Sequence, residues 1–247
     1  MYSLPFAIAL VAGALFAQVP DPSRDRQGAV SSISTEQRGD VFMARKMYRD
    51  AIEAYSQGPQ DNPVLWNKAG IAWHQLGQLD RAKADYERAL KLKPAYAEAI
   101  NNIGTIYYVQ KSYRRAISTY KKAILIMPAS ASFHKNLGTA YFARKLDKES
   151  MAEYQEALRL DPDTFENRSL FGTILEESNV ADRARYHYYL AKLYAQAART
   201  DMAIQYLRKA LEEGFHDKKK LEQDPEFQAM RDLPEFKELL ASEPRVL

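Results

Sequence analysis

Residues 63–96 read PVLWNKAGIAWHQLGQLDRAKADYERALKLKPAY, and this stretch decides the fold because its pattern returns at intervals of 34 residues. Glycine, tyrosine, alanine and proline each recur in the same phase. The recurring positions are Gly70, Gly104, Gly138 and Gly172; Tyr86, Tyr120, Tyr154 and Tyr188; Ala89, Ala123, Ala157 and Ala191; and Pro94, Pro128 and Pro162. A fixed period of this length is typical of a small helical unit that stacks on copies of itself.

Helix geometry explains why these residue types recur. Ala82 follows Gly70 by 12 residues, which is enough chain to finish one helix, turn and begin a second. We expect the small residues to let the two helices approach closely and Tyr86 to fill the space that remains. Because proline cannot continue a helix, Pro94 should end the second one. Each unit is therefore predicted to be a helix hairpin that buries its apolar face against its neighbours.

The stretch from Trp66 to Trp73, followed by Gly77, Ala82, Tyr86, Ala89 and Pro94, resembles the tetratricopeptide repeat family. Units at 63–96, 97–130 and 131–164 match the family pattern closely. An earlier unit at about 32–62 is about three residues short, and we expect the shortfall in the loop that holds Gly58, Pro59 and Asn62. The resemblance implies an all-α fold, a right-handed superhelical solenoid of antiparallel helix hairpins.

Beyond Pro162 the pattern permits two registers. One continues the period through Gly172, Ala184, Tyr188 and Ala191. The other, which we prefer, places a hairpin at 184–215 with Thr200 as the N-cap of its second helix. Both predict helices near 165–178, 181–197 and 200–213, and they differ in which helix faces the groove.

The C-terminal segment 216–247 is predicted to cap the solenoid, whose last apolar face would otherwise remain exposed. Two short helices should begin at Pro225 and Pro234, since proline followed by an acidic residue is a helix-start signal. Their core residues would be Phe227, Met230, Phe236, Leu239 and Leu240. Lys218–Lys220, a run of three lysines, is expected to form a surface loop beside this cap.

The N-terminal residues 1–17 form an apolar segment that is short for a bilayer span, and 18–31 reads as a linker. A cleaved signal peptide fits the length and the small residues near Ala17, although no Lys or Arg precedes the apolar run. An uncleaved membrane anchor and a buried segment are the alternatives. The prediction is an exported protein, periplasmic or secreted, with membrane contact only through this segment if it stays uncleaved.

Composition excludes several kinds of site. The chain has no cysteine, so disulfides, thiolate metal sites and a cysteine nucleophile are absent. Its 35 basic and 32 acidic residues nearly cancel, which gives no indication of a nucleic-acid partner. No nucleotide-binding loop or hydrolase motif occurs, and the four histidines lack ligand spacing. We therefore predict no catalytic, cofactor or metal residues.

The family resemblance implies that the first helices of successive hairpins line a concave groove for a protein or extended peptide. The predicted partner-binding residues are Asn67, Ile71, His74, Asn101, Asn102, Thr105, Tyr108, Lys135, Asn136, Thr139 and Phe142. Tyr108 and Phe142 are expected to face this surface. The function predicted is a non-catalytic scaffold that is part of an envelope assembly; the alternative is an accessory or regulatory subunit of a separate enzyme.

One chaperone-binding subtype of the family holds a carboxylate with a Lys, Asn, Asn, Lys, Arg set. The matching places here hold Asn67, Ile71, Asn102, Ser132 and Asn136, of which only Asn102 agrees. The window one unit earlier begins with acidic residues that would repel a carboxylate. The sequence therefore argues against this subtype.

Overall fold

The structure, a computed structural model, describes residues 33–166 and 180–241. Every regular element in these two ranges is helical, which confirms the all-α prediction. In chain order they are α1 (Thr35–Ala44), α2 (Tyr48–Ser56), α3 (Pro63–Gln75), α4 (Leu79–Leu92), α5 (Ala97–Val109), α6 (Tyr113–Ile126), α7 (Ala131–Ala143), α8 (Asp147–Leu160), α9 (Val180–Gln196), α10 (Thr200–Glu212), α11 (Lys218–Gln223), a 3-10 helix (Pro225–Met230) and α12 (Pro234–Ala241). The N-terminal segment, the linker and nearly all of the helix predicted at 165–178 lie outside the described residues.

Consecutive helices pair into hairpins, and each hairpin stacks on the next. The pairs are α1 with α2, α3 with α4, α5 with α6, α7 with α8, and α9 with α10. This arrangement confirms the predicted solenoid of helix hairpins.

The recurring glycines and tyrosines make the central contact of each of the first four hairpins. A Cβ atom added at Gly70 would lie 2.5 Å from a ring carbon of Tyr86, and one at Gly104 would lie 2.7 Å from Tyr120. The tyrosine rings are fully buried. Glycine is therefore required because the ring occupies the place where a side chain would be, as the sequence predicts.

The end of each second helix follows from the prolines. α4 ends at Leu92 and α6 at Ile126, in each case two residues before a proline. The residue between them, Lys93 or Met127, is extended with ψ near 88° or 79°. Steric contact with the proline ring disfavours the helical conformation there. The chain then turns, and the first helix of the next hairpin begins four residues after Lys93 or Met127.

The turn inside each hairpin uses a left-handed residue. Gly77 fills this place in the second hairpin with φ 71°. Lys46, Lys111 and Lys145 fill it in the first, third and fourth with φ 57–59°, and Ala198 fills it in the fifth with φ 56°. The following amide N–H bonds back to the first helix, for example Ser112 N to Tyr107 O at 2.8 Å. This backbone pattern satisfies carbonyls at the helix end. It also directs the lysine side chains to one edge of the solenoid, which we call the turn edge.

The first hairpin is incomplete. α2 has 9 residues where α4, α6 and α8 have 14. The predicted location of the shortfall in the loop is wrong, because the loop 57–62 is longer than its counterparts and the helix is shorter. Pro59 accounts for the early end. A cavity of about 250 Å³ opens beside the missing turns, and Trp66 and Trp73 lie in its wall.

The C-terminal hairpin and its cap bury aromatic side chains against each other. The rings of Tyr194 on α9 and Tyr206 on α10 are stacked 5.3 Å apart. Phe227 and Phe236 of the following short helices are fully buried in the same cluster.

Two local predictions in this region are wrong. Thr200 is the first helical residue of α10 and not its N-cap, which is Arg199. The lysine run begins α11 and is not a loop, because Asp217 caps that helix by accepting a hydrogen bond from Lys220 N.

Candidate concave binding face

A ladder of asparagine side chains joins the first helices of three hairpins. Asn102 Nδ2 on α5 donates to Asn67 Oδ1 on α3 at 3.0 Å. Asn136 Nδ2 on α7 donates to Asn101 Oδ1 on α5, also at 3.0 Å. A buried amide needs hydrogen-bond partners, and here each hairpin supplies one for the next. The asparagines therefore fix the separation of the helices that line the predicted groove.

Two threonines connect these first helices to the buried tyrosines of their partners. The Tyr120 hydroxyl donates to Thr105 Oγ1 at 3.3 Å, and Thr139 Oγ1 lies 3.1 Å from the Tyr154 hydroxyl. Burial raises the pKa of both tyrosines well above the ordinary value. Both tyrosines therefore remain neutral at physiological pH, and their hydroxyls are satisfied by a neutral partner.

Most of the predicted partner-binding residues are buried in this structure. The buried ones are Asn67, Asn101, Thr105, Tyr108, Lys135, Asn136, Thr139 and Phe142. The side chains that remain partly exposed are Ile71, His74 and Asn102. Partner contact by any of the eleven stays a prediction, and only these last three are accessible without rearrangement.

Lys135 shows what covers the far end of the face. Its Nζ donates to the Thr164 carbonyl oxygen at 2.6 Å and lies 6.0 Å from the Phe165 ring. Burial lowers the pKa of this lysine, and the charge of Asp161 opposes that shift. The segment that follows α8 thus folds back over the start of α7.

Phe142, at the other end of α7, is covered by α9. Its ring meets those of Tyr186 and Tyr189 at 5.8 and 5.9 Å, in edge-to-face geometry. The Arg185 guanidinium lies 4.2 Å from the same ring, and its Nη2 donates to the Phe142 carbonyl at 3.1 Å. The prediction that Phe142 faces an open surface takes no account of this helix. The aromatic run Tyr186–Tyr189 in the sequence is the signal that could have indicated a covering element.

The opposite end of the face is held by an ion pair cluster. Lys68 Nζ on α3 lies 2.8 Å from Glu36 and 2.7 Å from Asp40, both on α1. Asp40 also accepts a hydrogen bond from the Tyr55 hydroxyl at 2.8 Å. The acidic residues at the start of the solenoid are thus neutralised from the neighbouring hairpin.

Among the described residues no group of three or more His, Asp or Glu side chains is placed to hold a metal ion. Within the same residues, no helix combines the length and apolarity needed to span a bilayer. His74 is isolated from other titratable ligands, and burial lowers the pKa of its imidazole.

Comparison with known proteins identifies the family. Family profiles described as TPR repeat match residues 70–111 and 104–145, and others described as tetratricopeptide repeat match 132–164 and 184–213. Together these matches cover about half of the chain. The chain is a tetratricopeptide repeat protein. The last match coincides with the hairpin of the preferred second register.

Curated relatives of this tetratricopeptide repeat protein are similar over part of the chain. The chloroplastic tetratricopeptide repeat domain-containing protein PYG7 of Arabidopsis thaliana is 31% identical over 93 residues, 35% of this chain and 31% of that protein. The HSC co-chaperone sgt12 of Aspergillus fumigatus is 29% identical over 103 residues, 40% of this chain and 30% of its own length. The chain thus spans about a third of the length of these curated relatives.

Among solved structures, MamA of Desulfovibrio magneticus RS-1 is 20% identical, with 77% of this chain and 95% of that chain covered at a TM-score of 0.49.

Proposed function

We propose that this protein is a non-catalytic scaffold that binds a protein or an extended peptide on the concave side of α3 and α5. The observation that carries the proposal is the asparagine ladder, which joins α3 to α5 and α5 to α7 through hydrogen-bonded side-chain amides. A surface fixed in this way meets a partner without losing much conformational entropy of its own.

The accessible chemistry of this surface suits a peptide more than a charged small molecule. Ile71 offers an apolar contact, and Asn102 offers a second N–H that its bond to Asn67 does not use; its side-chain oxygen accepts a hydrogen bond from Asn101 Nδ2 at 3.5 Å. His74 lies near them with its pKa lowered by burial, so it stays neutral at physiological pH. Apolar pockets for side chains together with amides for the main chain are the usual means of peptide recognition.

A photoreactive amino acid at position 71 or 74, followed by identification of the crosslinked protein, tests the proposal. Position 125 is a matched control because Leu125 is an apolar residue of α6 with 83% of its surface exposed. We expect one partner to be captured from positions 71 and 74 and not from 125. Equal capture from all three positions would show that the contact is non-specific.

The same position-specific result can be checked by substitution. Ile71→Glu places a charge on the accessible part of the face, and Leu125→Glu places the same charge on the control surface. Only the first variant should lose the partner. Retention of the partner by Ile71→Glu would move the binding site away from α3.

The N-terminal segment supports a further proposal, that the protein is exported. The support is the apolar run of residues 1–17 and the small residues near its end. Sequencing of the mature N-terminus from fractionated cells tests it. A start near Gln18 in the exported fraction is expected, whereas an intact Met1 in the cytosol would reject export, and an intact Met1 in the membrane fraction would favour an anchor.

A further inference from the structure

A basic pocket lies on the turn edge, outside the predicted concave set. It is a shallow concavity of about 430 Å³ lined by Lys111, Ser112, Tyr113, Arg114, Arg115 and Arg144. The first five belong to the turn between α5 and α6 and to the start of α6, and Arg144 comes from the next hairpin turn. Four of the six lining residues are cationic and none is acidic.

The four cations of the basic pocket have no ion-pair partner in the part of the chain that the structure describes. Over residues 33–166 and 180–241, no carboxylate forms an ion pair with any of them. The first turns of α2, α4 and α8 carry an aspartate, whereas the first turn of α6 carries no acid and has Arg114 and Arg115 instead. In a chain of nearly balanced charge, this local excess of cations attracts an anionic group.

Lysine at the turn has a conformational cost, which the uncharged Ala198 also bears in the last hairpin turn with φ 56°. Lys111 and Lys145, in neighbouring turns, both adopt φ near 58°, while Gly77 shows that glycine fits the same place. A residue with a Cβ is strained there by roughly 1–2 kcal/mol. The two turns beside the basic pocket therefore carry a charge at a position where glycine would be more stable.

The basic pocket adjoins the concave face through an aromatic pair. Tyr113 lines the pocket, and its ring lies 5.3 Å from the ring of Tyr108, which belongs to the predicted groove set. Three of the four cations lie in the turn that follows α5 and at the start of α6, next to the helix that the partner is proposed to contact. This continuity favours a segment of the bound protein over a lipid surface as the source of the anion.

We propose that the basic pocket binds an acidic segment of the protein partner, so that recognition combines the concave face with carboxylates at the turn edge. The proposal rests on the proposed function. Arginine suits this role because its planar guanidinium donates two parallel hydrogen bonds to one carboxylate. The hydroxyls of Ser112 and Tyr113 supply further donors at the wall of the pocket.

A synthetic hexaglutamate peptide is the probe, titrated into the full chain by calorimetry at low ionic strength. The test variant combines Arg114→Gln with Arg144→Gln, and the control combines Lys91→Gln with Lys122→Gln. All four side chains are exposed, and the control cations lie in the last turn of α4 and more than two turns into α6. Both variants lose two charges, so only position distinguishes them.

We expect the pocket variant to bind hexaglutamate about tenfold more weakly, and the control to stay within about twofold of the unmodified chain. Added salt should weaken binding by the unmodified chain, because exposed charges are screened. Equal loss in both variants would overturn the proposal, since it would show attraction to net charge alone. The proposal would also be overturned if the unmodified chain bound phosphatidylglycerol vesicles but not hexaglutamate, and the pocket variant lost the vesicle binding.

The crosslinking experiment at positions 71 and 74 separates this inference from the proposed function. If the pocket variant loses hexaglutamate binding and no partner is captured from the concave face, the result supports the basic pocket and rejects the groove. If the pocket variant captures the partner from the concave face as well as the unmodified chain does, the result supports the groove and rejects an acidic segment at the basic pocket.

Discussion

At the scale of single residues, Lys111 shows a conflict between backbone conformation and surface charge. Its φ of 57° lies in the region that glycine occupies without strain. Its side chain lies in the wall of the basic pocket. Stability and charge therefore favour different residues at this position.

The variant Lys111→Gly separates the two effects. We expect its free energy of unfolding to rise by about 0.5–1 kcal/mol, because the relief of strain exceeds the added entropy of the unfolded chain. Its affinity for hexaglutamate should fall at the same time. Urea unfolding followed by circular dichroism gives the first quantity and calorimetry the second.

Lys122→Gly is the matched control, because Lys122 lies in the interior of α6 and is exposed. Glycine there should lower the free energy of unfolding by about 1 kcal/mol. A loss of stability in Lys111→Gly as well would show that the lysine is not strained.

At the scale of elements, we expect the first hairpin to have the lowest local stability among the hairpins that the structure describes. α2 ends five residues earlier than its counterparts, and a cavity of about 250 Å³ lies beside it. Lost packing around a cavity lowers stability, and a terminal repeat has fewer neighbours to stack on. The ion pairs between Lys68 and α1 are partly exposed, and such pairs contribute little to the free energy of unfolding.

Native-state hydrogen exchange tests this ranking. Amides of α1 and α2 should exchange through an opening of lower free energy than those of α5 and α6, where the hairpin is complete and has a neighbour on each side. Uniform protection of all four helices would mean that the solenoid opens as one unit and that the short helix has no energetic effect.

The sequence predicts the interior of each hairpin well and its surroundings poorly. Gly104 and Tyr120 are predictable because a 34-residue period places the same two residues in the same contact each time. The burial of Phe142 is not, because it depends on contacts with α9, a helix whose register the repeat period leaves open. A repeat pattern specifies contacts that recur, and the covering of one end occurs once.

At the scale of the whole molecule, the buried tyrosines limit stability at high pH. Burial raises the pKa of Tyr55, Tyr86, Tyr120, Tyr154 and Tyr194 well above the ordinary value of 10.0. A raised pKa in the folded state gives stability that is fully present below pH 10 and is lost as the pH rises, because the unfolded chain ionises first. Lys135 acts in the opposite direction, but it is one group against five.

We expect cooperative alkaline unfolding near pH 11. At pH 11, one unit above the ordinary pKa, each such tyrosine lowers the free energy of unfolding by about 1.4 kcal/mol. Five together lower it by an amount comparable to the roughly 5–15 kcal/mol by which a domain is stable. Circular dichroism at 222 nm should change in one step against pH, and the tyrosinate absorbance at 295 nm that belongs to the buried tyrosines should rise in that same step. Ionisation of these tyrosines near pH 10 with helicity retained would contradict their burial.

The contact between glycine and tyrosine also bears on how the chain is made. Each glycine meets the tyrosine of its own hairpin, as Gly70 meets Tyr86 and Gly138 meets Tyr154. Contacts between residues so near in sequence form quickly, since little chain must be closed into a loop. The contact inside a hairpin can therefore form as soon as its second helix leaves the ribosome, and its apolar face is buried when the next hairpin stacks on it. Synthesis of this protein should proceed as the addition of finished units to a growing stack.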